Sequence, residues 1–131
     1  MTPRQKVAVF DFDGVISTYS GWKGFDVFGV PIPSTIRVMN DLHSQGWRIV
    51  IFTTRHFTPA MQEWLRIAGV TYDDVNNAKH NPPHTSNKPI ADVYVDDRAV
   101  NFHGQSAPQL MDEIKGVVNS KGSPLDVAKE N

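Results

Sequence analysis

Four aspartates carry the strongest chemical signal in this sequence. Asp11 and Asp13 lie two positions apart in VAVFDFDGVI, residues 7–16, and Asp96 and Asp97 are adjacent in ADVYVDDRA, residues 91–99. Each pair follows an apolar run of the kind that forms a buried strand. Two carboxylates two positions apart on a strand point to the same side. Four acids gathered at one rim would repel one another by several kcal/mol in a partly buried site. A divalent cation among them removes that repulsion, and an oxygen-only ligand set suits magnesium. The competing reading makes Asp11 and Asp13 ordinary turn residues. The run apolar on both faces that precedes them argues against it.

Other groups extend the pattern. Thr53, Thr54 and Arg55 close the apolar run WRIVIF, residues 47–52. A threonine at a strand end offers a hydroxyl and an N–H to an anion, and a guanidinium offers a planar fork for phosphate. Lys88 lies just before the last apolar run and could supply a fixed positive partner. Taken singly, each has a plain alternative, as a cap, a strand-edge polar group or a solvated surface charge.

Positioning these groups requires strands. Residues 6–12 are apolar on both faces, as in a parallel sheet covered on two sides. Ser34 reads as the N-cap of a helix with Ile36, Val38, Met39 and Leu42 on its apolar stripe and Gly46 as its stop. Residues 47–52 form a second strand. Thr58-Pro59 reads as a cap followed by proline at the first helical position. Met61, Trp64, Leu65 and Ala68 face inward on that helix, and Gly69 ends it. Residues 70–75 form a short strand and 91–95 another. Residues 108–119 form a last helix with Leu110, Met111, Ile114 and Val117 or Val118 inward. This alternation predicts an α/β three-layer sandwich on a parallel, Rossmann-like sheet. In such folds ligands bind outside the carboxyl ends of the strands, so all three polar strand ends converge on one rim.

The bulk composition sets limits. A chain of 131 residues suits one domain, assigned to residues 1–119 with 120–131 as a flexible tail. The absence of cysteine excludes disulfides, thiolate chemistry and cysteine-ligated metals. A net charge of -1 gives no global field for nucleic acid or an anionic membrane. No stretch approaches the length of a membrane span, and no signal-peptide run is present, so a cytoplasmic location is expected.

The ordered set resembles the haloacid dehalogenase (HAD) superfamily. Its first motif, an apolar strand ending in DxDG, matches Phe10-Asp11-Phe12-Asp13-Gly14. Its second, an apolar strand ending in Thr or Ser, matches IVIFTT at Thr53. Its lysine matches Lys88, and its acid pair matches VYVDD at Asp96-Asp97. The four occur in family order and span about three-quarters of the chain.

The resemblance implies a phosphatase working through an aspartyl-phosphate. Asp11 would be the nucleophile and Asp13 the general acid and base. Mg2+ would be held by Asp11, the Asp13 carbonyl, Asp96 and Asp97, the last directly or through water. Thr53 and Lys88 would hold the phosphoryl group, with Thr54 and Arg55 in the same candidate substrate-binding set. An acid at position 13 favours phosphate-ester hydrolysis over dehalogenation. Residues 14–33 and 71–87 are too short for a cap domain, so the site would be open and its phosphorylated substrate could be bulky.

The pieces TTR and DVYVDDRA also resemble the phosphatase domain of polynucleotide kinase and small phosphatases encoded near surface-polysaccharide genes. A nucleic-acid end is therefore a candidate substrate, although the net charge gives it no support. Trp22, Lys23 and Phe25 could stack on a substrate or simply pack their loop. The loop holding His80 and His84 has too few ligands for a metal site. Two other functional classes compete: a receiver-like phospho-accepting domain and a catalytically silent HAD-fold binding protein. The order of the acids speaks against the first, and the intact acid set with Lys88 against the second.

Overall fold

The computed structural model describes residues 4–122. Strands and helices follow in the order β1 Val7–Phe10, α1 Pro33–Ser44, β2 Arg48–Ile51, α2 Pro59–Ala68, β3 Asp74–Val75, β4 Val93–Val95 and α3 Ala107–Lys121. The four strands make one parallel sheet in the spatial order β3-β2-β1-β4. This is a small Rossmann-like α/β fold without a large cap.

That order decides where a site can form. The chain steps from β1 to β2 to β3 in one direction. Crossovers between parallel strands are right-handed, so two steps the same way put both helices on one face. Ile36 and Met39 of α1 and Met61 and Leu65 of α2 accordingly share one buried cluster with Ala8, Phe10, Ile49 and Ile51. The return to β4, on the other side of β1, reverses direction. Val7, Val9 and Val50 form a second cluster on the opposite sheet face, packed against Ala91. The reversal lies between β1 and β4, and this is where open α/β sheets present their crevice. Phe10 pairs with both Ile51 and Val95, so three strands end level. The residues that follow them, Asp11, Thr53 and Asp96, therefore emerge along one edge.

Local chemistry explains most element boundaries. Thr58 caps α2 by accepting the Met61 N–H at 3.2 Å, Pro59 opens the helix, and Gly69 closes it in the left-handed region. At α1 the cap differs from expectation. Ile32 occupies the N-cap position, with Pro33 at the first helical position, and no side-chain cap forms. Proline is already set to a helical φ and lacks the N–H that a cap would satisfy, so the helix starts before Ser34. Val38 is 49% exposed, because it lies two positions from Ile36 and points away from the buried stripe.

The last helix departs furthest from its predicted packing. No residue of α3 is buried, and Met111, Ile114 and Val118 are 52, 45 and 54% exposed. Its C-terminal end is instead tied to the β4 loop, where Arg98 donates to the carbonyls of Gly122 and Lys121. Ser120 and Lys121, expected in a tail, are helical, and residues 123–131 of that expected tail lie outside the described residues. No described helix is long and apolar enough to cross a membrane.

Candidate active site

Immediately after β1 the chain stops being a strand. The Phe12 carbonyl accepts N–H bonds from Ile16 at 2.9 Å and Ser17 at 3.0 Å, and Gly14 takes φ 81°. Residues 17 and 31 then pair antiparallel, and Thr18 and Val30 bond to each other, so the intervening residues form a short flap. A Cβ at Gly14 would collide with the Asp97 carboxylate and displace it, and the left-handed backbone there favours glycine.

The turn sends the first two aspartates to different partners. Asp11 stays in line with the sheet, and its N–H donates to the Val95 carbonyl at 3.0 Å. Its carboxylate meets those of Asp96 and Asp97, with one oxygen of each within 4.8 Å of the others. Asp13 is not part of that three-residue group. The alternation that would place it beside Asp11 holds only while a strand continues, and β1 ends at Phe10. Its Oδ2 accepts the Arg55 Nε–H at 2.8 Å, while its Oδ1 is buried without a partner.

The electrostatics follow from the packing. Burial pushes the Asp11 carboxyl up to about 7, and the charges of Asp96, Asp97 and Asp13 add to the effect. A hydrogen bond from the Phe12 N–H at 2.7 Å opposes it. Asp96 accepts the Arg98 N–H at 2.7 Å. Asp97 sits 3.4 Å from Lys121 through Oδ2, and its Oδ1 is buried and unpartnered. An orphaned carboxylate oxygen inside an all-oxygen cluster fits a hard divalent cation.

A cavity of about 390 Å³ opens over these acids, with Thr53, Thr54, Tyr19, Phe52 and Arg98 completing its wall. Thr53 is held in a rigid turn. Its N–H donates to Asn76 Oδ1 at 2.8 Å, and its hydroxyl accepts the Arg55 N–H at 3.2 Å. Asn76 also donates through Nδ2 to the Arg55 carbonyl at 2.8 Å. Asn76 thus brackets the whole turn from left-handed backbone at φ 57°. Its place directly after the strand is the signal by which the sequence marks it. Lys88 is exposed, with its ammonium 5.0 Å from the centre of the Tyr94 ring. It lines an adjoining hollow that shares Asp11, Phe52 and Asp96 with the main cavity.

Arg55, expected as a phosphate ligand, lies elsewhere. Its side chain is 3% exposed and bonds to Asp13 and to flap carbonyls, with Trp22 stacked on it. Burial in an aromatic pocket, which a sequence does not reveal, removes it from the substrate-facing set.

The chain is thus a small Rossmann-like α/β protein with an acid-lined cavity at the carboxyl edge of its sheet. No protein-family model matches it, and no curated protein matches it. Among solved structures it is similar to a conserved protein coded by a locus of Bacteroides thetaiotaomicron, with a TM-score of 0.60 and 22% identity. The match covers 86% of this chain and 92% of that one. At that identity the likeness speaks for the fold alone.

Proposed function

We propose that this protein is a magnesium-dependent phosphomonoester hydrolase of the HAD type, working through a phosphorylated Asp11. The observation that carries this reading is the meeting of the Asp11, Asp96 and Asp97 carboxylates at the topological switch point, with Asp13 beside them. Asp11, Asp96 and Asp97, with the Asp13 carbonyl, would hold Mg2+. When bound, the ion neutralises the clustered charge and withdraws electron density from the phosphoryl group.

The chain's own residues supply the rest. An Asp11 oxygen attacks phosphorus as the bond to the ester oxygen breaks, and the Asp13 carboxyl gives that oxygen a proton. Water then attacks the phosphorus of phospho-Asp11. Its proton passes to Asp13, and the Asp11 oxygen leaves with its electron pair. Thr53, Thr54 and Lys88 bind phosphoryl oxygens. The uncapped cavity leaves the rest of the substrate outside, which suits a bulky phosphoester.

The test is p-nitrophenyl phosphate turnover with magnesium, with EDTA, and in Asp11→Asn. Turnover should require magnesium and vanish in the variant while the fold persists. Wild-type turnover in EDTA, or a fully active Asp11→Asn, would refute the reading. A stable phospho-Asp11 without turnover would mark a phospho-accepting domain instead. A panel of phosphorylated metabolites and 3′- or 5′-phosphorylated oligonucleotides then separates substrate classes.

A further inference from the structure

Arg55 is buried more completely than any substrate ligand in an open cavity needs to be. Its Nε–H donates to Asp13 Oδ2 at 2.8 Å. One terminal nitrogen donates to the Phe25 carbonyl at 2.9 Å, with Gly24 further at 3.4 Å, and the other to Val27 at 3.1 Å. The guanidinium carbon lies 4.9 Å from the centre of the Trp22 ring, 5.1 Å from Phe28 and 5.9 Å from Phe12. A buried cation requires an anion and satisfied donors, and this one has both within the chain. No donor fork is left for phosphate.

The pairing is also selective within Asp13. One carboxylate oxygen is taken, and the other is buried and without a partner. Pinning one oxygen fixes the orientation of the whole carboxyl. We propose that Arg55 is a positioning residue that pins one oxygen of Asp13 and, through the flap carbonyls of Phe25 and Val27, makes the acid's orientation depend on the flap. This rests on the phosphatase reading and adds the device that aims its proton donor. The step it serves is balanced: the proton moves from the Asp13 carboxyl to the ester oxygen as the phosphorus–oxygen bond breaks. The electrons of that bond stay on the departing alcohol.

The kinetic quantity kcat/KM reports the steps up to departure of the alcohol, when phospho-Asp11 forms. A p-nitrophenolate leaves without protonation, whereas an alkoxide does not. The experiment compares kcat/KM for p-nitrophenyl phosphate and for an alkyl phosphate in the wild type, Arg55→Lys and Asp13→Asn. General acid catalysis is worth about 100-fold or more, so the alkyl ester should lose about that factor in both variants and the nitrophenyl ester only about 5-fold or less. Lysine keeps the charge but not the fork, so it should not rescue. Equal losses on both esters in Arg55→Lys would make Arg55 merely structural. A raised KM at constant kcat would make it a substrate ligand. Either result overturns the proposal.

If Arg55→Lys fails to fold, Trp22→Leu loosens the same stack and should show the same ester selectivity in weaker form; its absence would also overturn the proposal. An independent readout is the Arg55 Nε–H proton in 1H–15N spectra. It should be slow to exchange in the wild type and become fast in Asp13→Asn; unchanged exchange would refute the pairing. A wild type inactive on both esters with an intact, slow Nε–H would sink the phosphatase reading, and the catalytic role given to Arg55 with it.

Discussion

Replacing the proposed nucleophile should make the protein more stable at neutral and alkaline pH. Without metal, Asp11 is held at about 7 against an ordinary value of 3.8. The folded state therefore keeps a proton that the unfolded chain releases. Stability from this group is complete below about 3.8 and is lost as pH climbs towards about 7. At about 1.4 kcal/mol per pH unit, the whole difference is about 4 kcal/mol. A window from pH 5 to 8.5 captures about two of those three pH units, or about 3 kcal/mol. Solvent reaches Asp11 through the open cavity, and screening reduces the figure to about 1.5 kcal/mol.

The assay is denaturant or thermal unfolding in EDTA, for the wild type and Asp11→Asn, across that window. The wild type should lose about 1.5 kcal/mol more than the variant as pH rises. In a domain of this size that is a melting-temperature difference of roughly 4–8 °C. Asp11→Asn should be the more stable protein at pH 8.5. Adding magnesium at about a hundred times its dissociation constant should raise wild-type stability by about 2.7 kcal/mol, and far less in the variant. Parallel pH slopes for the two proteins would refute the buried, like-charged environment assigned to Asp11.

Two further outcomes follow from other parts of the fold. Gly14→Ala should cost about 1–2 kcal/mol for its left-handed backbone and should also push Asp97 out of the cluster. A melting-temperature rise with magnesium equal to that of the wild type would contradict that crowding. Asp92 is held down to about 2 by the Arg4 guanidinium and the Val7 N–H, so its contribution is present above about 4 and lost as pH falls through about 2. Asp92→Asn should therefore flatten acid unfolding between those values, and an unchanged acid limb would remove the pairing from the account.

Sequence legibility tracked whether a residue's role depends on local or distant partners. The strand-end acids were readable because apolar runs mark buried strands and parallel registers align their ends. Thr58, Pro59 and Gly69 were readable because caps act within one helical turn. The fate of Arg55 was not. Its pocket is assembled from Phe12, Trp22, Phe28 and Asp13, and nothing in the spacing shows which anion lies nearest to a guanidinium. The exposure of α3 was equally hidden, since Leu110, Met111, Ile114 and Val118 repeat like any buried stripe. Periodicity identifies an apolar face and leaves open what covers it.

The turn after Phe10 explains how two like residues acquire unlike roles. Had β1 continued to residue 13, the alternation of side chains would have placed both carboxylates in the same field, with four negative groups sharing one environment. Because the chain bends at Phe12, Asp11 faces Asp96 and Asp97 while Asp13 faces a guanidinium. One acid is thereby surrounded by like charges, and the other is balanced by a cation of the chain. Under the proposed chemistry that division separates the atom that attacks from the atom that carries the proton. It also explains why glycine follows: the bend takes residue 14 into left-handed backbone, where a Cβ would also displace the Asp97 carboxylate.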